Sequence, residues 1–234
     1  MDIVYLVKNC VTNEELTYSL RSLSNLPHNH IFIVGGISAN LNQSKVIYRP
    51  FLQGADKFAN TTNGLKYICQ DKYLSDDFIL MNDDFFILKP IIDPVNELNL
   101  CRGTIQEVIA EMILRNGCDT PYTISMAQTD TFLKDLGYNI PLSYELHIPM
   151  VINKNKFLSM FSLKYIDTIK PGQQRSLYGN MFLKDSKKIK DVKIYKRYIT
   201  EPGSDKFLST ADNSWPLVKP MLEKLFPTKS EYEI

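Results

Sequence analysis

Three short runs of unbroken apolar residues, separated by helical patterns, constrain this chain more than any other feature. Ile3-Val4-Tyr5-Leu6-Val7, Ile31-Phe32-Ile33-Val34 and Phe78-Ile79-Leu80-Met81 show no polar alternation, as expected of strands buried inside a sheet. After the first run, Thr12-Asn13-Glu14-Glu15 reads as a capping box with Thr12 as N-cap. The helix that follows places Leu16, Leu20 and Leu23 on one face and ends near Pro27. Val46-Ile47-Tyr48 is a short third strand, and Asp56 to Gln70 reads as a helix although it contains Asn63-Gly64. This succession predicts an α/β fold with a largely parallel sheet and helices on its faces. Ligands of such sheets bind at the carboxyl ends of the strands, which here carry Asn9-Cys10, Gly35-Gly36 and Asn82-Asp83-Asp84.

The last of these ends is the most unusual. An apolar strand runs into two adjacent carboxylates and an amide, and apolar residues resume at Phe85. Asp and Asn are poor strand residues, and an unpaired buried carboxylate is costly. The plain reading is a tight turn; the functional one is a site for a divalent cation with phosphates. Asn82 and Asp84 are two residues apart, so on an extended segment their side chains share one side. That is the logic of an Asp-x-Asp metal motif, with Asp83 turned the other way toward an acceptor hydroxyl, a base or a structural partner.

The remainder is more helical. Thr104-Ile105-Gln106-Glu107 is a second capping box, leading a helix that ends at Asn116-Gly117. Another helical pattern runs from about Tyr122 to Leu136, and Asn153 to Phe161, Gln174 to Leu183 and Trp215 to Phe226 read as further helices. Tyr144 to Met150 reads as extended and Lys190 to Tyr195 as a strand. The Lys184–Lys190 and Lys193–Arg197 clusters read as a solvated surface hairpin.

Composition removes several functions. Lys plus Arg number 27 against 26 Asp plus Glu, so no global field draws the chain to nucleic acid or to an anionic membrane. Cys10, Cys69, Cys101 and Cys118 form no CxxC pair, which argues against a zinc site and for free thiols in a reducing compartment. No signal peptide and no apolar stretch of membrane length is present, so the expected setting is cytoplasmic.

His147 precedes Ile148-Pro149 in a polar-flanked segment, where it is a metal ligand, a general base or a hydrogen-bonded structural residue. Arg175, near a helix start after Pro171-Gly172, is placed to meet a phosphate or is a surface arginine of a turn. Asp212 is either part of a helix cap or a second site carboxylate.

Asp2-Ile3-Val4-Tyr5, Asn13 to Leu23 and His30-Ile31-Phe32-Ile33-Val34 resemble the opening blocks of the Stealth proteins. Those are nucleotide-sugar-dependent sugar-phosphate transferases built around a GT-A-like core. Phe78 to Phe86 is similar to their Phe-(Ile/Leu)-x-x-Asn-Asp-Asp block, and His147-Ile148-Pro149 to their His-x-Pro block. Where that family carries an Asn-Ser-(His)-Ala-Ile-Glu-like helix, this chain has Asp56 to Gly64, and it is short for the family.

Together, residues and resemblance imply one GT-A-like, Rossmann-like domain over 1–234, with a helical insertion at about 103–140. The expected activity is glycosyl transfer from a nucleotide-diphosphate sugar to a hydroxyl of a glycan or other acceptor, with Mg²⁺ or Mn²⁺, in polysaccharide biosynthesis. The alternatives are sugar-1-phosphate transfer of the Stealth type and a non-catalytic nucleotide- or glycan-binding module. Asp83, His147 and Arg175 are the expected catalytic residues. Asn9, Gly35, Asn82, Asp84 and Asp212 are expected at the donor, and Asn82, Asp84 and His147 at the metal.

Overall fold

The computed structural model describes residues 1–234 apart from 165, 167, 168, 170, 171, 197, 198, 200, 202, 204 and 212 and the side chain of Lys57. The chain begins β1 (Asp2–Val7), α1 (Glu14–Ser22), β2 (Ile31–Gly35), β3 (Ile47–Pro50), α2 (Lys57–Cys69) and β4 (Asp77–Asn82). Next come β5 (Phe85–Ile87), the single turn α3 (Pro94–Glu97), β6 (Leu100–Cys101), β7 (Gly103–Thr104), α4 (Ile105–Asn116) and α5 (Pro121–Asp135). It continues through β8 (Leu142–Ser143), β9 (Met150–Asn153), α6 (Lys154–Met160) and α7 (Gln174–Phe182). It closes with β10 (Lys187–Lys188), β11 (Lys193–Ile194), β12 (Phe207–Thr210) and α8 (Trp215–Leu225).

The central sheet has five strands in the order β3-β2-β1-β4-β9. Its first four strands run parallel, and β9 closes one edge antiparallel to β4. The expected α/β architecture, a mostly parallel sheet with flanking helices, is what the chain forms. Alternate residues of each strand supply opposite faces. Val4, Phe32, Val34, Phe78 and Leu80 enter a core with Leu65 and Ile68 of α2, Phe157 of α6 and Leu177 of α7. Ile3, Tyr5, Val7, Ile31, Ile33, Ile79 and Met81 enter a second core with Leu16, Leu20 and Leu23. Burial on both faces is why these strands carry no polar alternation. Leu20 is 2% exposed, so its truncation to Ala costs about 2–5 kcal/mol.

The α1 helix also holds β5. Ser19 Oγ donates to the Phe85 carbonyl at 2.6 Å, and Ser22 Oγ accepts the Ile87 N–H at 3.1 Å. Antiparallel pairing with β12 binds β5 as well. The turn at Asp83–Asp84 is thereby pinned between β4, α1 and β12, which is how the fold presents the acidic triplet.

Several local expectations are corrected. Asn13, not Thr12, caps α1, because its Oδ1 reaches the Leu16 N–H at 2.9 Å. Glu15 accepts from Thr210 Oγ1. The lysine-rich tract is not a hairpin: β10 pairs with β6, and β11 pairs with β12 in another sheet. The strand expected over Lys190–Tyr195 shrinks to Lys193–Ile194, and the extended segment at Tyr144 leads into β9 only at Met150. The four cysteines are free. Among the described residues no helix is long and apolar enough to cross a membrane.

Candidate functional site

At the carboxyl ends of β1, β2 and β4 the sheet opens into a crevice of about 180 Å³. Lys8 just after β1, Val34 of β2, Phe51 and Gln53 after β3, Asn60 and Gly64 of α2, Asn82 at the end of β4 and Asp83 just beyond it form its walls. The strand ends meet closely. Gly35 has φ +101°, and a Cβ on it would stand 2.5 Å from the Val7 carbonyl; one on Gly36 would collide with the Lys8 carbonyl. Gln53 stitches this junction: Nε2 donates to Val7 O at 2.6 Å, and Oε1 accepts the Asn9 N–H at 3.1 Å. Asn60 holds the loop before α2 through Gly54, accepting its N–H and donating to its carbonyl, both at 2.8 Å.

The two carboxylates of the turn diverge. Regular strand geometry ends at Asn82, so the two-residue alternation no longer carries Asp84 to the side of Asn82. Asp83 lines the crevice with Asn82, and its Oδ2 accepts from Asn13 Nδ2 at 2.6 Å. Asp84 turns to the β12 side, where its Oδ2 accepts from Lys193 Nζ at 3.1 Å and Ser209 Oγ at 2.9 Å. The expected pairing of Asn82 with Asp84 is therefore replaced by Asn82 with Asp83. The plain turn reading describes the backbone of residues 83–84, while Asp83 still meets the crevice.

A second polar cluster surrounds Phe85. The His147 ring stands edge-on to Phe85, with ring centroids 6.3 Å apart. His147 Nδ1 is bound by the Asp191 carboxylate at 2.8 Å. Burial alone would raise Asp191, but the hydrogen bonds and charge of His147 and the charge of Arg102 outweigh it and hold the group at about 2. Arg175 turns inward: it donates to the Ile148 carbonyl at 2.7 Å, and its guanidinium carbon lies 5.8 Å from the Phe85 ring centre. Burial pushes Glu145 up against the pull of Arg175 and pushes Arg175 down against the pull of Glu145. Glu145 also accepts the Ser176 N–H at 3.0 Å.

The expected metal set of Asn82, Asp84 and His147 is thus divided. Asp84 is engaged by a lysine and His147 by a carboxylate, and among the described residues no group of three or more His, Cys, Asp or Glu is arranged to hold a metal. Arg175 is not among the crevice-lining residues either. Asn9 is exposed at the end of β1, and Gly35 shapes the junction beside the crevice. Asp212 lies outside the described residues.

Sequence reasoning passed over Lys8, Gln53, Asn60, Gly64, Asn13 and Asp191. The available signal was Gly64, a glycine inside an otherwise good helical pattern, where it costs about 1 kcal/mol against alanine.

No family model matches the sequence, and no curated protein matches it, so the resemblance to the Stealth proteins rests on its residue blocks. Solved structures with some likeness include the galactosyltransferase LgtC in complex with donor and acceptor sugar analogues. It aligns at TM-score 0.47 and 13% identity over 99% of this chain and 98% of that one. They also include the glycosyltransferase GlyE of Streptococcus pneumoniae TIGR4, at TM-score 0.38 and 13% identity over 80% of this chain and 44% of that one. The chain thus spans less than half the length of GlyE.

Proposed function

We propose that the chain is a GT-A-like transferase of nucleotide-diphosphate sugars, with α4 and α5 as a helical insertion in a single domain. The donor diphosphate lies in the crevice at the ends of β1, β2 and β4. The observation that carries this reading is the meeting of Asn82 and Asp83 with Lys8 in one crevice at strand carboxyl ends, where such sheets bind ligands. At about 180 Å³ it is smaller than the roughly 300–1,000 Å³ usual for a whole ligand. It therefore takes one part of the donor, and the sugar extends over the open rim.

A diphosphate and the Asp83 carboxylate repel one another unless a cation lies between them. Asn82 and Asp83 offer Mg²⁺ or Mn²⁺ an amide oxygen and a carboxylate in the crevice, and a Mg²⁺ site of this kind draws its other ligands from substrate phosphates and water. Bound there, the cation would neutralise the diphosphate as a leaving group. Lys8 adds positive charge from the β1 side. His147 takes the role of base toward an acceptor hydroxyl, and Arg175 backs that region from beside Glu145.

A thermal-shift screen of nucleoside-diphosphate sugars, with and without Mn²⁺, tests the reading. A donor at a hundred times its Kd stabilises by about 2.7 kcal/mol, several degrees for a chain of this length. The shift is expected to need Mn²⁺ and to vanish in Asp83→Asn. If no nucleotide-sugar moves the transition, the reading is wrong. Product mass then separates the chemistries: phosphorus retained from the donor means sugar-1-phosphate transfer, and binding without turnover means a non-catalytic module.

A further inference from the structure

His147 and Asp191 meet from positions 44 residues apart. Asp191 Oδ2 lies 2.8 Å and Oδ1 3.1 Å from His147 Nδ1, and Oδ1 also accepts the His147 backbone N–H at 3.1 Å. The imidazole is 31% exposed and the carboxylate 12%, so the ring keeps an outlet that the carboxylate lacks. Arg102 backs the carboxylate through Nη1 at 3.6 Å and is itself tied through Nη2 to Glu111 at 2.8 Å. Phe85, Glu145 and Arg175 face the same region from β5, the 144–149 segment and α7.

An ionised carboxylate only accepts hydrogen bonds, and Asp191 is ionised at neutral pH. His147 Nδ1 therefore donates, and in the neutral ring the lone pair sits on Nε2. Among the described residues Nε2 has no hydrogen-bond partner. The tautomer thus follows from the geometry of one carboxylate.

We propose that Asp191 is the positioning residue that fixes this tautomer and presents His147 Nε2 as the proton acceptor for the acceptor hydroxyl. For its substrate the inference rests on the transfer reaction proposed above; the tautomer does not depend on it. The hydroxyl proton passes to Nε2 as the oxygen bonds to the anomeric carbon of the donor. The nucleoside diphosphate leaves with the electron pair of the broken carbon–oxygen bond. The imidazolium lies against Asp191, which stabilises the charge without taking the proton. A mere clamp between the 144–149 segment and the segment before β11 would add stability but would not dictate which ring nitrogen is protonated.

The test reads the His147 ring nitrogens of the full chain by long-range ¹H–¹⁵N correlation, at a pH where the ring is neutral. His147→Gln assigns the signal among the three histidines. In Asp191→Asn the amide oxygen remains on the His147 backbone N–H, and the NH₂ group faces Nδ1, which must then accept. The wild type is expected to carry its proton on Nδ1 and Asp191→Asn on Nε2. In the same variant kcat falls at least about tenfold with KM little changed, and Asp191→Glu restores most of the rate. A wild-type ring protonated on Nε2, or an Asp191→Asn variant with unchanged tautomer or kcat, overturns the proposal. A wild type that transfers no sugar overturns the base assignment through its premise. The spectroscopic arm needs no substrate and so distinguishes that failure from a wrong tautomer.

Discussion

One amide of Asn13 caps α1 and steers Asp83: Oδ1 accepts the Leu16 N–H at 2.9 Å, and Nδ2 donates to Asp83 Oδ2 at 2.6 Å. The N-cap of α1 thereby holds one oxygen of the crevice carboxylate. Asn13→Ser keeps a capping oxygen and loses the donor, whereas Asn13→Ala loses both. Ala is expected to destabilise by about 1–3 kcal/mol and Ser by about 1 kcal/mol less, the value of a typical cap. Both are expected to weaken donor binding equally. Urea unfolding and donor titration on the two variants check this; wild-type donor affinity in Asn13→Ser would detach Asp83 from Asn13.

Asp83 and Asp84 are neighbours with different work, and their variants are expected to separate. Asp84 is 15% and Lys193 19% exposed, so Lys193→Met leaves a largely enclosed carboxylate with Ser209 as its remaining partner among the described residues. That loss is expected to destabilise by about 1–3 kcal/mol with donor affinity changed less than threefold. Asp83→Asn should do the reverse, leaving the unfolding midpoint nearly fixed while donor affinity drops at least tenfold. Parallel melts and donor titrations decide between this and the spacing rule, which assigns the donor to Asp84.

The parallel sheet was legible because strands buried on both faces have no polar positions, and Ile3–Val7, Ile31–Val34 and Phe78–Met81 have none. The Thr104 capping box was legible too, since both of its hydrogen bonds are local. At α1 two adjacent cap-forming residues compete, and only the side-chain path to Leu16 selects Asn13 over Thr12. What sequence could not give is contact over distance. Period two ends with the strand at Asn82, so the facing of Asp83 and Asp84 is decided by Asn13 on one side and by Lys193 and Ser209 on the other. Asp191 finds His147 across 44 positions, and no spacing rule links them. Lys8, Gln53 and Asn60 are ordinary polar residues until the strand ends bring them to one crevice.

Acid sensitivity should concentrate on Asp191. Its folded value of about 2 lies below the ordinary 3.8, so its contribution is present above pH 4 and is lost as pH falls toward 2. The shift corresponds to about 2 kcal/mol. Glu145 acts in the opposite sense: burial raises it above 4.5, so its share is present on the acid side and is lost as pH rises through its folded value. The stability difference between wild type and Asp191→Asn is therefore expected to be present above pH 4 and to shrink between pH 4 and pH 2. Denaturant unfolding at fixed pH steps measures it; a difference independent of pH would show that the contacts of Asp191 with His147 and Arg102 contribute little.

Gly64 offers the sharpest separation of fold from function. It is buried in the interior of α2, where glycine is less favourable than alanine by roughly 0.5–1 kcal/mol. A Cβ there would meet Leu6 Cδ2 at 3.6 Å and Phe51 Cδ1 at 3.7 Å, which are ordinary contacts. Nothing in the packing requires glycine, yet the residue lines the crevice beside Asn60, Asn82 and Asp83. Gly64→Ala is therefore expected to raise the unfolding free energy by up to about 1 kcal/mol while occupying space the donor needs. Its donor Kd should rise several-fold, with stability moving the other way. Thermal unfolding without ligand and donor titration on one preparation measure both signs. A stabilised variant that binds the donor as well as the wild type would move the donor away from α2, and a destabilised one would show that Gly64 serves the fold.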